Sequence, residues 1–342
     1  MMKIAIDGVT TLLGQTIAEL VDSQQLTALP IISILHGNAS DLETEDAQLD
    51  SNVDVQIEPQ FFDDIIFSDL AIVFIADNQD RNKDTINRAI NAGATVIDCA
   101  NNATPDLAKH LLVHDINSHE IQGFEPGFVI SVPSAGATML SQIVFPMLQA
   151  GYGVERINVC HFAPAAQLGK TGVEQLAGQT ARLLNGMPLP KKSRGEQVAF
   201  NLLPQSGAID NFAYAETETL LMEEVKLLLN HDGLVVNASV IQAPVFYAQS
   251  QVIDLVFENE VAADAIEALL KRQAGVKVAN VNQASPVALQ HDEGEPQIVV
   301  SRIRQNPADE RSLTLWCVSD NLRRGAAGNA VQIADLLIKS YL

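Results

Sequence analysis

The chain has 342 residues, and its 21 basic and 42 acidic side chains give a formal net charge of −21. Because one hydrophobic core seldom organises so many residues, we expect two domains, and the negative charge argues against nucleic acid and anionic membranes as partners. The sequence shows no signal or transit peptide, no apolar run of membrane-spanning length and only three widely spaced cysteines. These features predict a cytoplasmic protein without a disulfide framework or a cysteine-based metal site.

The first part of the chain alternates predicted strands and helices. A buried strand at residues 3–7 leads into a turn at 8–14 and an amphipathic helix at 15–21. The elements predicted after them are strands at 30–35, 70–76, 95–99 and 128–132 and helices at 82–92 and 137–150. Such alternation predicts an α/β domain of the Rossmann-like kind, with a parallel sheet and helices on its faces.

Two local features qualify this first part. The acidic stretch at residues 38–52 is expected to be a solvated loop. Pro146 is expected to bend or interrupt the helix at 137–150, because proline lacks the N–H group that a helix interior needs.

A different pattern begins after residue 150. Several predicted strands alternate apolar and polar residues, as the strands of a half-exposed antiparallel sheet do. These strands are expected at 157–162, 234–241, 251–257, 276–281, 298–303 and 313–318, and helices at 173–184, 217–229 and 262–273. We therefore predict a Rossmann-like domain at 1–135, completed by a C-terminal helix within 323–342, and an α+β domain at 136–322. One face of that last helix is apolar and is expected to pack back on the first domain.

The turn after the first strand resembles a dinucleotide-binding turn, in which backbone N–H groups and the helix N-terminus bind a pyrophosphate. The residues expected to line such a site are Gly8, Thr10, Thr11, Leu12 and Gly14. Thr11 replaces the middle glycine of the pattern, and its side chain occupies space that the phosphates need. After the second strand, His36 is either a weak substitute for a phosphate-binding arginine or an ordinary loop histidine. A weakened NADP site and a plain strand-to-helix turn without nucleotide are both compatible with this sequence.

The opening turn, the two-domain layout and the closing segment together resemble the aspartate-semialdehyde dehydrogenase family over essentially the whole chain. The closing segment VSDNLRRGAAGNAVQIA at 318–334 is the most specific, because the family run Asp-Asn-Leu-x-x-Gly-Ala-Ala-x-Asn-Ala is nearly unbroken there. The segments GKTGVEQLAGQTARLLNG at 169–186, AFNLLP at 199–204 and ASVIQAPVFY at 238–247 are most similar to the Usg-type paralogues. The resemblance implies a Rossmann-like domain followed by an α+β dimerisation domain, and hence a homodimer.

The resemblance also implies a reaction of amino-acid biosynthesis. The family converts aspartate semialdehyde, phosphate and NADP reversibly to aspartyl phosphate and NADPH. A cysteine thiolate attacks the aldehyde, a histidine moves the proton, a glutamine positions the thioester, and basic side chains hold the carboxylate and the phosphate. Asp320 and Asn321 of the closing segment would lie on the cofactor side of such a site.

Carried over residue by residue, the family's reactive groups are absent from this chain. In the family segment Asn-Pro-Asn-Cys-Ser-Thr the cysteine falls on Ala135, and the glutamine before the Gly-x-x-Gly turn falls on Ala163. In the segment Arg-Val-Pro-Val-x-x-Gly-His the arginine falls on Gln242 and the histidine on Gln249. A phosphate-site arginine and a substrate-side lysine fall on Thr104 and Thr219. The resemblance therefore implies a catalytically silent copy.

Four other side chains are candidates to replace the missing nucleophile. Ser134 and Thr138 have no histidine nearby to act as a base, so they are interpreted as helix caps. Cys99 and Cys160 are expected at strand ends, where a free cysteine is usually a small buried apolar residue.

Three histidines form a candidate metal site. His110 and His114 would share one face if their segment were helical, with His119 near them, and such spacing can bind zinc. A solvated polar surface is the preferred interpretation, so no metal is predicted.

Three functional hypotheses follow. The first is a silent paralogue that acts through binding or association, either as a homodimer or in mixed dimers with an active relative. The second is a working NADP- and phosphate-dependent semialdehyde oxidoreductase. The third is a sensor that binds NADP or another small molecule without turnover.

Overall fold

The structure is a computed structural model that describes residues 2–23, 29–36, 56–100, 110–123, 127–190, 197–204, 207–231, 233–280 and 297–341. The chain forms two compact units, which we call the N-terminal unit (residues 1–133 and 326–342) and the C-terminal unit (residues 134–325). The predicted acidic loop at 38–52 and Thr104 lie outside the described residues. No helix in the described ranges is long and apolar enough to cross a bilayer.

The strands are numbered in chain order. They are β1 (Lys3–Asp7), β2 (Ile31–Leu35), β3 (Ile57–Phe61), β4 (Leu70–Ile75), β5 (Thr95–Asp98), β6 (Val129–Ser131), β7 (Val154–Ala163), β8 (Val235–Gln242), β9 (Gln249–Phe257), β10 (Val276–Val278), β11 (Ile298–Asn306) and β12 (Asp309–Ser319).

The α-helices are numbered in the same way. They are α1 (Leu12–Ser23), α2 (Asn82–Asn91), α3 (His114–Asn117), α4 (Ala135–Gln149), α5 (Gly169–Leu184), α6 (Glu216–Leu229), α7 (Ala263–Leu270) and α8 (Ala327–Tyr341).

The N-terminal unit is built on a parallel sheet with the strand order β3-β2-β1-β4-β5-β6. This is the order of dinucleotide-binding Rossmann folds, so the predicted fold class is confirmed. Strands β1 and β4 are nearly continuous buried apolar runs because both faces of the sheet are covered. Helix α8 packs against α1 and buries Val331, Ala334 and Leu337 in the core of this unit.

Strand β3 is the one element of this sheet that the sequence did not predict. Its residues IEPQF are half-exposed, and Pro59 interrupts what would otherwise be a weak alternating pattern. It lies at the sheet edge, where proline is tolerated because one side of the strand needs no partner. An edge strand of this kind carries almost none of the apolar signal on which strand prediction depends.

The C-terminal unit is built on a mixed sheet with the order β10-β11-β12-β9-β7-β8. The pairs β10–β11 and β7–β8 are parallel and the remaining pairs are antiparallel, so the sheet is mixed rather than antiparallel throughout. Alternation predicts a half-exposed sheet but does not distinguish strand direction. Helices α4, α6 and α7 pack on one face and form the core with the inward side chains of the strands.

Helix α4 begins earlier than predicted and is not interrupted by Pro146. Ser134 caps it, because its Oγ accepts a hydrogen bond from the N–H of Ala137 at 3.3 Å. Pro146 lies in the last turn, where it removes only one helical hydrogen bond, and the surrounding core residues Ile143 and Met147 are completely buried. Thr138 lies a turn inside the helix, so its interpretation as a cap is wrong.

Candidate functional site

The first turn of α4 brings two of the predicted positions together. Ala135 is the first residue of the helix, and Gln249 is the first residue of β9. The side chain of Gln249 donates from Nε2 to the carbonyl oxygen of Ala135 at 2.9 Å and to Oγ of Ser319 at 3.1 Å. Gln249 is only 1% exposed. Gln249, predicted at the family's histidine position, therefore holds the backbone of Ala135, predicted at the family's cysteine position.

The other two predicted positions end neighbouring strands. Ala163 ends β7 and Gln242 ends β8, and the two residues are partners in the sheet register. Nε2 of Gln242 donates to the carbonyl oxygen of Ala163 at 3.2 Å, and the backbone of Gln242 also pairs with that of Leu203. Both Ala163 and Gln242 are buried. Because Phe162 pairs with Ser250 on β9, the last residues of β7 and β8 and the first residues of β9 lie at the same end of the strands.

A second buried glutamine reinforces the same helix turn. Nε2 of Gln251 donates to the carbonyl oxygen of Gly136 at 2.9 Å and lies 3.2 Å from Nδ1 of His161. Burial lowers the pKa of His161 to about 4, so this imidazole is neutral near pH 7. A Cβ atom added to Gly136 would lie 3.2 Å from Cε1 of His161, so the helix start is packed directly on the ring. The sequence analysis missed both His161 and Gln251.

Glu224 is a buried carboxylate at the N-terminus of α4 that the sequence analysis also missed. It projects from α6 and accepts hydrogen bonds from the N–H of Ser134 at 3.0 and 3.1 Å and from its Oγ at 2.5 Å. Burial raises the pKa of Glu224 from 4.5 to about 7, although the bonds from Ser134 oppose the shift. A glutamate on the apolar face of a predicted helix is the signal that would have identified it.

Thr219, predicted at the family's lysine position, lies in the first part of α6 and is half-buried. Its N–H donates to the carbonyl oxygen of Ala215 at 3.1 Å, as an ordinary helical residue does. A threonine hydroxyl carries no charge, so this position offers nothing to balance the charge of an anionic ligand.

Asn321 supports the residue that precedes Gln249. Its Oδ1 accepts a hydrogen bond from the N–H of Ala248 at 3.0 Å, and both residues are about 5% exposed. Ala248 has a φ of +65°, a left-handed conformation that favours glycine, which is the residue before the histidine in the family segment. Asn321 thus has a structural partner in the C-terminal unit, and the cofactor role expected for it stays a prediction.

The conformation of Ala248 leads to a stability prediction. We expect Ala248→Gly to raise the free energy of unfolding by roughly 0.5–1 kcal/mol, because relief of the left-handed strain exceeds the added flexibility of the unfolded chain. Urea denaturation measures this change. The control is Ala265→Gly at an exposed position in α7, which should lower the free energy of unfolding by about 1 kcal/mol. A loss of stability in both variants would contradict the strain argument.

The glycine turn of the N-terminal unit lies between β1 and α1. Gly8 has a φ of +85°, and a Cβ atom added to Gly14 would lie 2.2 Å from the carbonyl oxygen of Gly8. Both positions therefore require glycine for the turn itself. The helix begins at Leu12, earlier than the predicted residue 15, because the side chain of Thr11 already caps it.

The alternative nucleophiles and metal ligands are placed as follows. Both cysteines were expected at strand ends. Cys99 directly follows β5, but Cys160 lies inside β7. Burial raises the pKa of both thiols, which disfavours the reactive thiolate. His110 precedes the short helix α3, so it does not share a helix face with His114. Within the described ranges, no three His, Cys, Asp or Glu side chains are grouped as metal ligands.

Comparisons with known proteins match both units. The family model "Semialdehyde dehydrogenase, NAD binding domain" matches residues 3–124, and "Semialdehyde dehydrogenase, dimerisation domain" matches residues 144–324. The aspartate-semialdehyde dehydrogenase of Shewanella violacea is 31% identical over 84% of each chain, and a USG-1 protein homolog of Pseudomonas aeruginosa is 34% identical over 82% of each.

A solved structure agrees with these sequence matches. The structure of a probable aspartate-semialdehyde dehydrogenase from Pseudomonas aeruginosa is 30% identical to the chain, with a TM-score of 0.89 over 100% of this chain and 99% of that one. Sequence and fold lead to the same assignment, which confirms the resemblance. The chain belongs to the semialdehyde dehydrogenase family.

Proposed function

We propose that this chain is a catalytically silent member of its family, which keeps the fold and acts by binding or association. The carrying observation is the side chain of Gln249, which is 1% exposed and donates to the carbonyl oxygen of Ala135 and to Ser319. A buried amide committed to two hydrogen bonds takes no proton from a substrate near neutral pH. The position of the family's base thus has a structural use in this protein.

The nucleophile position supports the same proposal. The methyl group of Ala135 forms no thioester, and Ser134 beside it is bound to Glu224. Glu224 is a possible base for Ser134 in geometric terms, but the same hydroxyl also accepts the N–H of Ala137 and caps α4. Loss of a nucleophile or a matched base typically lowers rates by several powers of ten, and groups that act as a unit fail together.

The ligand-binding positions have also lost their charge. The neutral amide of Gln242 stands where the family has an arginine, and it is buried against Ala163. An anionic substrate would therefore lose an ion pair and gain no cation in exchange. A second reading, an active semialdehyde oxidoreductase, has no residue at these positions to support it.

An activity assay tests this proposal. We expect the purified chain to reduce NADP with aspartate semialdehyde and phosphate at least about 10⁴-fold more slowly than an active aspartate-semialdehyde dehydrogenase at equal concentration. The matched variant is Ala135→Cys combined with Gln249→His, which asks whether the two groups alone restore thioester formation. Turnover by the unchanged chain within about a hundredfold of the active enzyme, a gap of ~2.7 kcal/mol, would overturn the proposal.

We further propose that the protein acts as a homodimer. Residues 144–324 match the family's dimerisation domain. Most of the large apolar side chains that are exposed in the described ranges lie within those residues, including Phe212, which is 84% exposed. Exposed apolar surface concentrated in one domain is typical of an association site.

The outer sheet face is the part of this domain best suited to a second copy. We define it as the face of the C-terminal sheet opposite α4, α6 and α7, formed by Asn158, Cys160, Phe162, Asn237, Ser239, Ile241, Val252, Asp254, Thr314 and Trp316. Asp254 is the only charged side chain among these ten residues, and Arg156, Lys277 and Arg304 lie on the same face towards its margins. Two copies of a chain with a net charge of −21 repel each other least where the facing surfaces carry few acidic groups.

A further inference from the structure

The N-terminal unit matches a family model whose description includes NAD binding, and it has the strand order of that fold. Such folds bind the dinucleotide pyrophosphate at the first strand-to-helix turn, where helix N–H groups are open and the backbone is accessible. We infer that in this chain the turn is closed to a dinucleotide, because the side chain of Thr11 already occupies it. This inference concerns binding and is independent of the proposed loss of catalysis.

The hydroxyl of Thr11 is bonded on both sides of the turn. Its Oγ1 accepts a hydrogen bond from the N–H of Gly14 at 3.0 Å, and it lies 2.8 Å from the carbonyl oxygen of Gly8 and 3.1 Å from that of Ala76. The hydroxyl therefore replaces an anion as the partner of a first-turn N–H group of α1. To bind here, a phosphate would have to displace this hydrogen bond. The phosphate would lose translational freedom on binding, whereas the Thr11 hydroxyl, which belongs to the chain, does not.

Asp77 adds a negative charge beside the same turn. A Cβ atom added to Gly8 would lie 3.0 Å from Cγ of Asp77, so this carboxylate rests directly against the glycine. Arg81 binds the Asp77 carboxylate at 2.7 Å. Asn82 also donates to Asp77 at 2.6 Å. A carboxylate therefore lies beside the turn, and Arg81, the cation bound to it, is not free to pair with a phosphate; both features disfavour an anionic ligand.

His36, at the end of β2, faces inward. Its Nε2 lies 2.9 and 3.1 Å from the two carboxylate oxygens of Asp7, which is fully buried and also accepts from Thr85 at 2.7 Å. In dinucleotide-binding folds the end of this strand supplies the group that reads the adenosine ribose. In this chain His36 is bound to Asp7, and Thr11 is bound within the turn. Both side chains therefore have partners inside the protein instead of a ligand.

The experiment is a calorimetric titration of the full chain with NADPH. We expect the wild-type chain to bind with a Kd of about 1 mM or weaker, and Thr11→Gly to bind at least about tenfold more tightly. The matched control is Thr11→Ser, which keeps the hydroxyl and its bonds and should bind as weakly as the wild type. Circular dichroism establishes that each variant is folded.

The inference is overturned if the wild-type chain binds NADPH with a micromolar Kd, or if a folded Thr11→Gly shows no gain. Should Thr11→Gly fail to fold, Asp77→Asn takes its place, because it removes the charge and keeps the shape of the side chain. We expect this variant to bind at least about threefold more tightly than the wild type, and an unchanged Kd would contradict the inference.

Discussion

The free energy of unfolding of the wild-type chain should fall by about 2–3 kcal/mol between pH 5 and pH 8 relative to that of Glu224→Gln. The folded-state pKa of Glu224 is raised to about 7, because the carboxyl group is buried. In the unfolded chain its pKa returns to 4.5. The folded state therefore binds this proton more tightly, so the stability is fully present below pH 4.5 and is lost as the pH rises through 7.

The measurement is urea denaturation at several pH values and a fixed protein concentration. The comparison uses only the pH dependence of the difference between the two proteins, since Glu224→Gln also alters the bonds to Ser134 at every pH. Glu258→Gln, which removes an exposed carboxylate just after β9 in the same unit, is the matched control. If the free energy of unfolding of the wild-type chain instead rises with pH relative to that of Glu224→Gln, the helix N-terminus and Ser134 stabilise the ionised carboxylate more than burial disfavours it.

Replacing Trp316 by lysine should convert the dimer to monomers. Trp316 lies on β12 within the outer sheet face, where its ring centroid is 6.2 Å from that of Phe162. Trp316→Lys removes a large apolar group and places a charge on each copy of a facing surface. We expect the dimer Kd to rise at least about a hundredfold, equivalent to ~2.7 kcal/mol.

Sedimentation equilibrium measures this change. The control variant is Leu227→Lys, which introduces the same charge at an exposed apolar residue of α6, on the opposite side of the sheet, and should remain dimeric. Thermal unfolding of Trp316→Lys shows whether the fold survives. A monomeric wild-type chain, or a Trp316→Lys dimer with the wild-type Kd, would exclude the outer sheet face as the interface.

Dimerisation and NADPH binding test different functional hypotheses. If the chain forms a stable dimer but binds no NADPH, association is the activity that remains, either with itself or with a related subunit. If the dimer binds NADPH tightly, the sensor hypothesis gains support even when catalysis is absent. The sedimentation and calorimetric experiments therefore distinguish a protein that acts by association from an NADPH sensor, which the activity assay does not.

The sequence predicted elements well where burial alone dictates the pattern. Strands β1, β4 and β5 are short apolar runs covered on both faces, and such runs have few alternative structures. Prediction from the sequence failed where contacts with a neighbouring element determine the structure. Strand β3 is held by pairing with β2 at an edge, and the uninterrupted α4 depends on the core around Pro146.

The sequence by itself determined the family and the fold class, and it predicted which residues occupy the family's reactive positions, because these depend on local order along the chain. Only the tertiary structure decided what those residues do. Gln249 bonds to Ala135, 114 residues away, and Glu224 bonds to Ser134, 90 residues away. Such contacts arise from the pairing of strands and the packing of helices across the whole unit, and no local pattern specifies the partner that a buried polar side chain will find.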